Sequence, residues 1–65
     1  MTGQVLLEAA LLHFRAQKAR AEANLEVYLS KPTGIGEHSD LVEVVIKLTK
    51  QITEAEEAIK YLETK

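Results

Sequence analysis

The chain has 65 residues, a formal net charge of -2, 28% charged residues and no cysteine. A domain of this size buries only about 60% of the surface that its unfolded chain exposes, so a single copy has little stability to spare. The absence of cysteine excludes disulfide bonds, thiolate zinc sites and cysteine nucleophiles. The balanced charge excludes a strongly basic nucleic-acid-binding arm.

The first predicted element is a helix from about residue 4 to residue 30. No Gly or Pro occurs between Gln4 and Leu29, and Ala, the strongest helix former, is abundant. Lys18 is the one polar interruption of a stripe whose apolar members follow the three- and four-residue spacing of one helix face: Leu7, Leu11, Phe14, Ala21, Leu25 and Tyr28.

The apolar run "VLLEAALL", residues 5–12, is too short and too interrupted for a membrane span. Glu8 divides it, and no Lys or Arg precedes it, so the pattern does not fit a signal sequence either. We therefore expect a cytoplasmic protein that has no membrane partner.

Residues 31–39 are predicted to form a loop. Pro32 cannot continue the first helix, and Gly34 and Gly36 can adopt the positive φ that a tight turn requires. Ile35, between the two glycines, is expected to fold back and cover the end of the helix pair. The stretch therefore predicts a structural turn.

The same loop contains the residues that could suggest a ligand site. "GIGEHSD" lacks the Lys and Ser/Thr of a phosphate-binding P-loop, and acidic side chains there would repel an anion. Glu37, His38 and Asp40 are metal-capable, but such clusters on polar loops are usually solvated, and His13 lies far away on the first helix. We expect no metal and no other cofactor.

The second predicted helix runs from about residue 40 to residue 64. Asp40 followed by Glu43 is typical of a helix N-terminus, with Ser39 as the competing N-cap residue. Seven apolar residues follow a heptad repeat without a break, which indicates a seam for a partner helix: Leu41, Val45, Leu48, Ile52, Ala55, Ile59 and Leu62.

Together the two stripes predict a single all-α domain, residues 1–65, folded as an antiparallel, coiled-coil-like two-helix hairpin. In the register that sets large residues against small ones, Phe14 faces Ala55 and Ala21 faces Leu48. Lys18 then faces Gln51, with Glu22 and Glu54 within reach of its ammonium group.

Further apolar residues lie outside these stripes, at Val5 and Leu6 on the first helix and at Val44 on the second, among others. A monomer would leave them in water, and a two-fold dimer that forms a four-helix bundle would bury them. We therefore predict a homodimer, and we note that a different protein partner could cover the same surface. The predicted interface residues are Leu6, Leu12, Val42 and Ile46.

These features predict a non-enzymatic protein that acts through self-association or binding to another protein. Ser30 and Ser39 have no evident general base beside them, and a hairpin of this size is expected to offer no concave pocket. The alternative function is a nucleic-acid-associated accessory factor, in which an oligomer would align the basic residues Arg15, Lys18 and Arg20. Nucleic acid is not the expected partner, because helical spacing spreads these three residues over different faces.

The loop and its flanks also carry a resemblance. "YLSKPTGIGEHSDLVE", followed by "AEEAI" in the second helix, resembles small uncharacterised helical-hairpin proteins of tailed bacteriophages, especially marine ones, which have a similar Gly-x-Gly-Glu-His turn. The resemblance covers residues 28–62. It implies a small viral accessory protein in the cytoplasm of a host cell, and it assigns a role to no residue.

Overall fold

The computed structural model describes residues 2–30 and 40–65, and this part of the chain forms two α-helices, α1 (Gly3–Ser30) and α2 (Leu41–Leu62). The helices pack against each other along their length, which confirms the predicted all-α, hairpin-like fold. The molecule is 48 Å long and 17 by 16 Å across. The predicted turn residues Pro32, Gly34, Ile35 and Gly36 lie outside the described residues.

Each helix begins at a side chain that accepts a hydrogen bond from the first turn. The hydroxyl oxygen of Thr2 lies 3.4 Å from the backbone nitrogen of Val5, at the start of the 28-residue α1. At α2, Asp40 has extended backbone geometry, and its Oδ1 accepts a hydrogen bond of 3.1 Å from the N–H of Glu43. Asp40 is therefore the N-cap of α2, as predicted from its spacing to Glu43.

The helices run antiparallel, because the residue that lies further along α1 contacts residues that lie less far along the chain of α2. Arg15 contacts Glu63, and Gln17 contacts Gln51 and Glu54. The hydrogen bond from Gln17 to the carbonyl of Gln51 lies one residue from the predicted pairing of Lys18 with Gln51. The observed register therefore agrees with the predicted one to within a helical turn.

The core of the hairpin is small. Among the described residues only Ala21, Leu48 and Ala55 are buried. The rest of the seam is half-buried, including Leu7, Leu11, Phe14, Leu25 and Tyr28 on α1, and Leu41, Val45, Ile52, Ile59 and Leu62 on α2. Two helices can cover only one face of each other, so most apolar side chains at the seam keep some contact with water.

Asp40→Ala is expected to lower the free energy of unfolding by about 1 kcal/mol, because the N–H of Glu43 loses its acceptor at the start of α2. The measurement is denaturant unfolding followed by circular dichroism at one fixed protein concentration. Asp40→Asn is the matched control, because its amide oxygen can still accept the bond. Equal stability of the alanine variant and the parent would contradict the capping role.

Candidate functional site

The most prominent surface feature is exposed apolar area. Eight large apolar side chains of the described residues are 42–70% exposed, against three buried residues in the core. They are Val5, Leu6, Leu12, Val27, Leu29, Val42, Ile46 and Tyr61. Single exposed apolar residues are normal on soluble proteins, whereas contiguous apolar patches mark interaction surfaces, so the arrangement of these eight on the helices matters.

The four predicted interface residues are all exposed, but they do not form one patch on a single chain. Leu6 and Leu12 lie in the half of α1 beside the end of α2, whereas Val42 and Ile46 lie near its start. Leu6 and Leu12 are also six residues apart, which rotates them by about 120° around the helix. Val44, which the sequence pattern also assigned to the exposed flank, is half-buried and lines a groove between the helices.

The outward side of α1 carries a second apolar stripe, which we call the outer stripe. Its members are all exposed and lie opposite the half-buried residues that face α2, and one of them, Ala16, also borders the groove between the helices. They are Val5, Ala9, Leu12, Ala16, Ala19, Ala23 and Val27. The spacing alternates between four and three residues from Val5 to Ala23, which is typical of a helix-packing seam. The sequence pattern placed Val5 and Leu12 outside the seam, but it did not connect them to the alanines, which indicate helix formation as much as helix packing.

A polar layer crosses the seam between the helices. Gln17 Nε2 donates to the carbonyl oxygen of Gln51 at 3.0 Å and to Glu54 Oε1 at 2.9 Å. On the same stretch of α1, Lys18 Nζ lies 3.3 Å from Glu56 Oε2. The sequence predicted a polar layer here but assigned it to Lys18 with Gln51, Glu22 and Glu54.

Helix rotation explains this difference. Gln17 and Lys18 are adjacent, so they point about 100° apart and reach opposite sides of the seam. Gln17 reaches the side of the seam where Gln51 and Glu54 lie, and Lys18 reaches the side where Glu56 lies. Gln17 itself was absent from the predicted layer, since an amide beside an apolar stripe looks like a surface residue.

The basic residues proposed for nucleic acid are also divided between these two sides. Arg15 forms an ion pair of 3.4 Å with Glu63, and Lys18 pairs with Glu56. Arg20 instead lines the groove on the side of Gln17. A single hairpin therefore presents these three cations in different directions, and two of them already contact carboxylates.

The groove is a shallow space of about 1020 Å³ that is open to solvent. The sequence predicted no concave surface, and the groove arises where small side chains, such as Ala21, and polar ones leave space between the helices. Cations and a carboxylate share its wall, because Arg20 and Lys47 lie on one surface with Glu54. This mixed lining favours no single class of ligand.

Of the three predicted metal-capable residues, the structure describes only Asp40. Glu37 and His38 lie outside the described residues, and the carboxylate of Asp40 serves as the N-cap of α2. Within residues 2–30 and 40–65, no three metal-capable side chains come together.

Neither helix, as far as it is described, is long and apolar enough to cross a membrane.

Gln17→Glu is expected to lower the free energy of unfolding by about 1–3 kcal/mol at neutral pH, because a carboxylate would replace the donor that faces Gln51 and Glu54. Gln17→Met is the matched control, since it removes the hydrogen bonds but adds no charge.

The loss in Gln17→Glu should diminish as the pH falls toward about 4, where carboxyl groups become protonated. The reason is that repulsion between two carboxylates in the folded state favours their protonated forms there. Chemical unfolding at a series of pH values measures this. A Gln17→Glu protein as stable as the parent at pH 7 would contradict the role of this layer.

In comparisons with known proteins, the chain matches no family model, no curated protein and no solved structure.

Proposed function

We propose that this is a non-enzymatic helical protein that acts by protein–protein association, first of all with a second copy of itself. The observation that carries the proposal is the contrast between eight exposed large apolar side chains and a core of three buried residues in the described chain. The phage-like origin that the loop pattern implied is part of the same proposal, as a small accessory protein.

One hairpin buries little apolar area compared with what it exposes. Full burial of a Val, Leu or Ile side chain contributes about 1.5–3 kcal/mol. The whole stability of small proteins is roughly 0.05–0.15 kcal/mol per residue, or about 3–10 kcal/mol for a chain of this length. The exposed side chains are already partly covered, at 42–70% exposure, so covering three of them would contribute roughly 2–6 kcal/mol, which is still comparable with the total.

A second copy is the simplest partner. Two-fold dimers are the commonest oligomers, and pairs of helical hairpins join through their apolar faces into four-helix assemblies. A different protein with an apolar face could occupy the same surface.

The nucleic-acid alternative has less support. Its expected signature is DNA binding that weakens steeply as salt is raised, because basic side chains would displace cations from phosphates. Arg15 and Lys18, however, contact carboxylates of α2, so each would have to exchange an existing partner for a phosphate.

The test is a hundredfold dilution series of the parent, Leu12→Glu and Ile46→Glu, with mass measured by sedimentation and helicity by circular dichroism. The two variants probe the exposed surfaces of α1 and α2 separately. We expect the parent to change from dimer to monomer on dilution, with helicity falling in parallel. At least one variant should dissociate at a higher concentration, because a carboxylate buried without a partner is costly.

A parent that remains monomeric and fully helical throughout the series would refute self-association. The exposed apolar side chains would then be available only to a different protein.

A further inference from the structure

Helix α1 has two packing faces, and α2 covers only one of them. Seen down the helix, the outer stripe is about 180° from Phe14 and Ala21, which face α2. Of the eight exposed large apolar side chains, Val5, Leu12 and Val27 belong to this stripe. The alanines between them have no bulk, so the backbone of another helix could approach closely.

The charges that flank the outer stripe bear on the direction of a second helix. One edge carries Glu8, Arg15 and Glu22. The other edge carries Leu6, His13 and Arg20, and the outer stripe reaches this edge at its last member, Val27. In a parallel pair of identical helices the two different edges meet, which would set Arg15 beside Arg20 of the second copy. Like charges in that position disfavour parallel pairing.

In an antiparallel pair, each edge meets the same edge of the second copy. Which side chains become neighbours then depends on the register. In one register Leu12 packs on Ala23 of the second copy, so a large residue meets a small one, and Ala16 packs on Ala19, where two small residues let the helices approach closely. Arg15, whose guanidinium also contacts Glu63 of its own chain, then lies beside Glu22 of the second copy, twice by symmetry. On the other edge Leu6 lies beside Val27, and His13 beside Arg20.

Registers shifted by one heptad lose these pairings. A shift in one direction sets Glu8 beside Glu22 of the second copy and Arg15 beside its own counterpart. A shift in the other direction sets Glu22 beside Glu22. Charge complementarity therefore selects a single antiparallel register, whose two-fold axis passes between residues 17 and 18, close to the middle of α1.

The contact in this register is long. From Val5 to Val27 the outer stripe extends about 33 Å at 1.5 Å per residue, and half the circumference of a helix about 10–12 Å wide gives roughly 550 Å² on each copy. The total of roughly 1,100 Å² is near the lower end of specific interfaces. Such an area suits a dimer that dissociates on dilution.

We propose that two copies of this protein pair through the outer stripes of α1, antiparallel and in this register, with α2 on the outside of each. The assembly is then a row of four helices rather than a square bundle. This inference rests on the proposed self-association and names its surface: α1 is the interface, and Val42 and Ile46 of α2 are not part of it.

The first test is a charge exchange between the two positions that meet across the interface. Arg15→Glu should set two carboxylates side by side, and Glu22→Arg should set two guanidinium groups side by side, so each single variant should raise the dimer dissociation constant about tenfold. The double variant should restore it to within about threefold of the parent. This restoration cannot come from the ion pair within one chain, because the carboxylate introduced by Arg15→Glu would still face Glu63.

Lys50→Glu and Glu57→Arg are the matched controls for charge. Both residues are exposed on α2, and the substitutions make the same changes in net charge. Their dissociation constants should stay within about threefold of the parent. Control effects as large as those of Arg15→Glu and Glu22→Arg, or failure of the double variant to recover, would refute the proposed register.

The second test uses the absence of cysteine from the parent chain. In the proposed register Ala9 packs against Glu26 of the second copy, so a mixture of Ala9→Cys and Glu26→Cys should form a mixed disulfide under mild oxidation. Each variant alone should not cross-link, because its two cysteines would lie about 26 Å apart, far beyond the roughly 7 Å between Cα atoms that a disulfide allows. Mass spectrometry identifies the products.

The outcomes separate this inference from the proposed function. A mixed disulfide between the Ala9→Cys and Glu26→Cys chains, with recovery in the charge exchange, supports the antiparallel α1 interface. A parent that dimerises, but whose Ala9→Cys variant cross-links with itself, would show parallel pairing and refute the inference. A dimer without the mixed disulfide would also refute it and leave self-association standing, and a parent that never dimerises would refute both.

Discussion

The structure depends on one constraint: two helices can cover only one face of each other. Ala21, Leu48 and Ala55 are the buried residues of the described chain, and two of these three are small. Small residues bring the helix backbones close together, but they remove little apolar area from water. The hairpin therefore has a defined packing geometry and a small hydrophobic contribution to stability, and most of its apolar area remains on faces that the partner helix does not cover.

The polar layer in the seam contributes to the choice of one helix register more than to the overall free energy of unfolding. Gln17 is part-buried, and its amide has two acceptors on α2 in the observed register, the carbonyl of Gln51 and the carboxylate of Glu54. A slip of the helices by one turn would separate these groups and leave polar atoms without partners, at a cost of about 1–3 kcal/mol. The exposed ion pairs of Arg15 and Lys18 contribute less, because water and salt screen them. Most of the preference for this register therefore comes from Gln17 and the small core.

Sequence reasoning succeeded where the signal is local or periodic. The heptad repeat of α2 and the spacing of Asp40 to Glu43 predicted the helix and its cap, since both depend on residues within a few positions of each other. It failed where the position of a side chain depends on rotation around the helix axis. Lys18 contacts a different carboxylate from the two predicted. The predicted interface residues do not share one surface: Leu6, Leu12, Val42 and Ile46. The outer stripe was missed because Ala supports helix formation and close packing equally well, and only the burial pattern shows which face α2 leaves open.

The two faces of α1 differ in a way that favours an order of assembly. The inner face carries Gln17 and Lys18, whose hydrogen-bonding and ionic partners lie on α2 of the same chain. The outer stripe carries no polar residue from Val5 to Ala23, and the next position in its spacing is Glu26. If a second copy docked on the inner face in place of α2, Gln17 would lose both acceptors, whereas docking on the outer stripe leaves them intact. The polar layer thus favours packing of α2 against one face of α1 and leaves the outer stripe uncovered, which is the face that the proposed dimer would use.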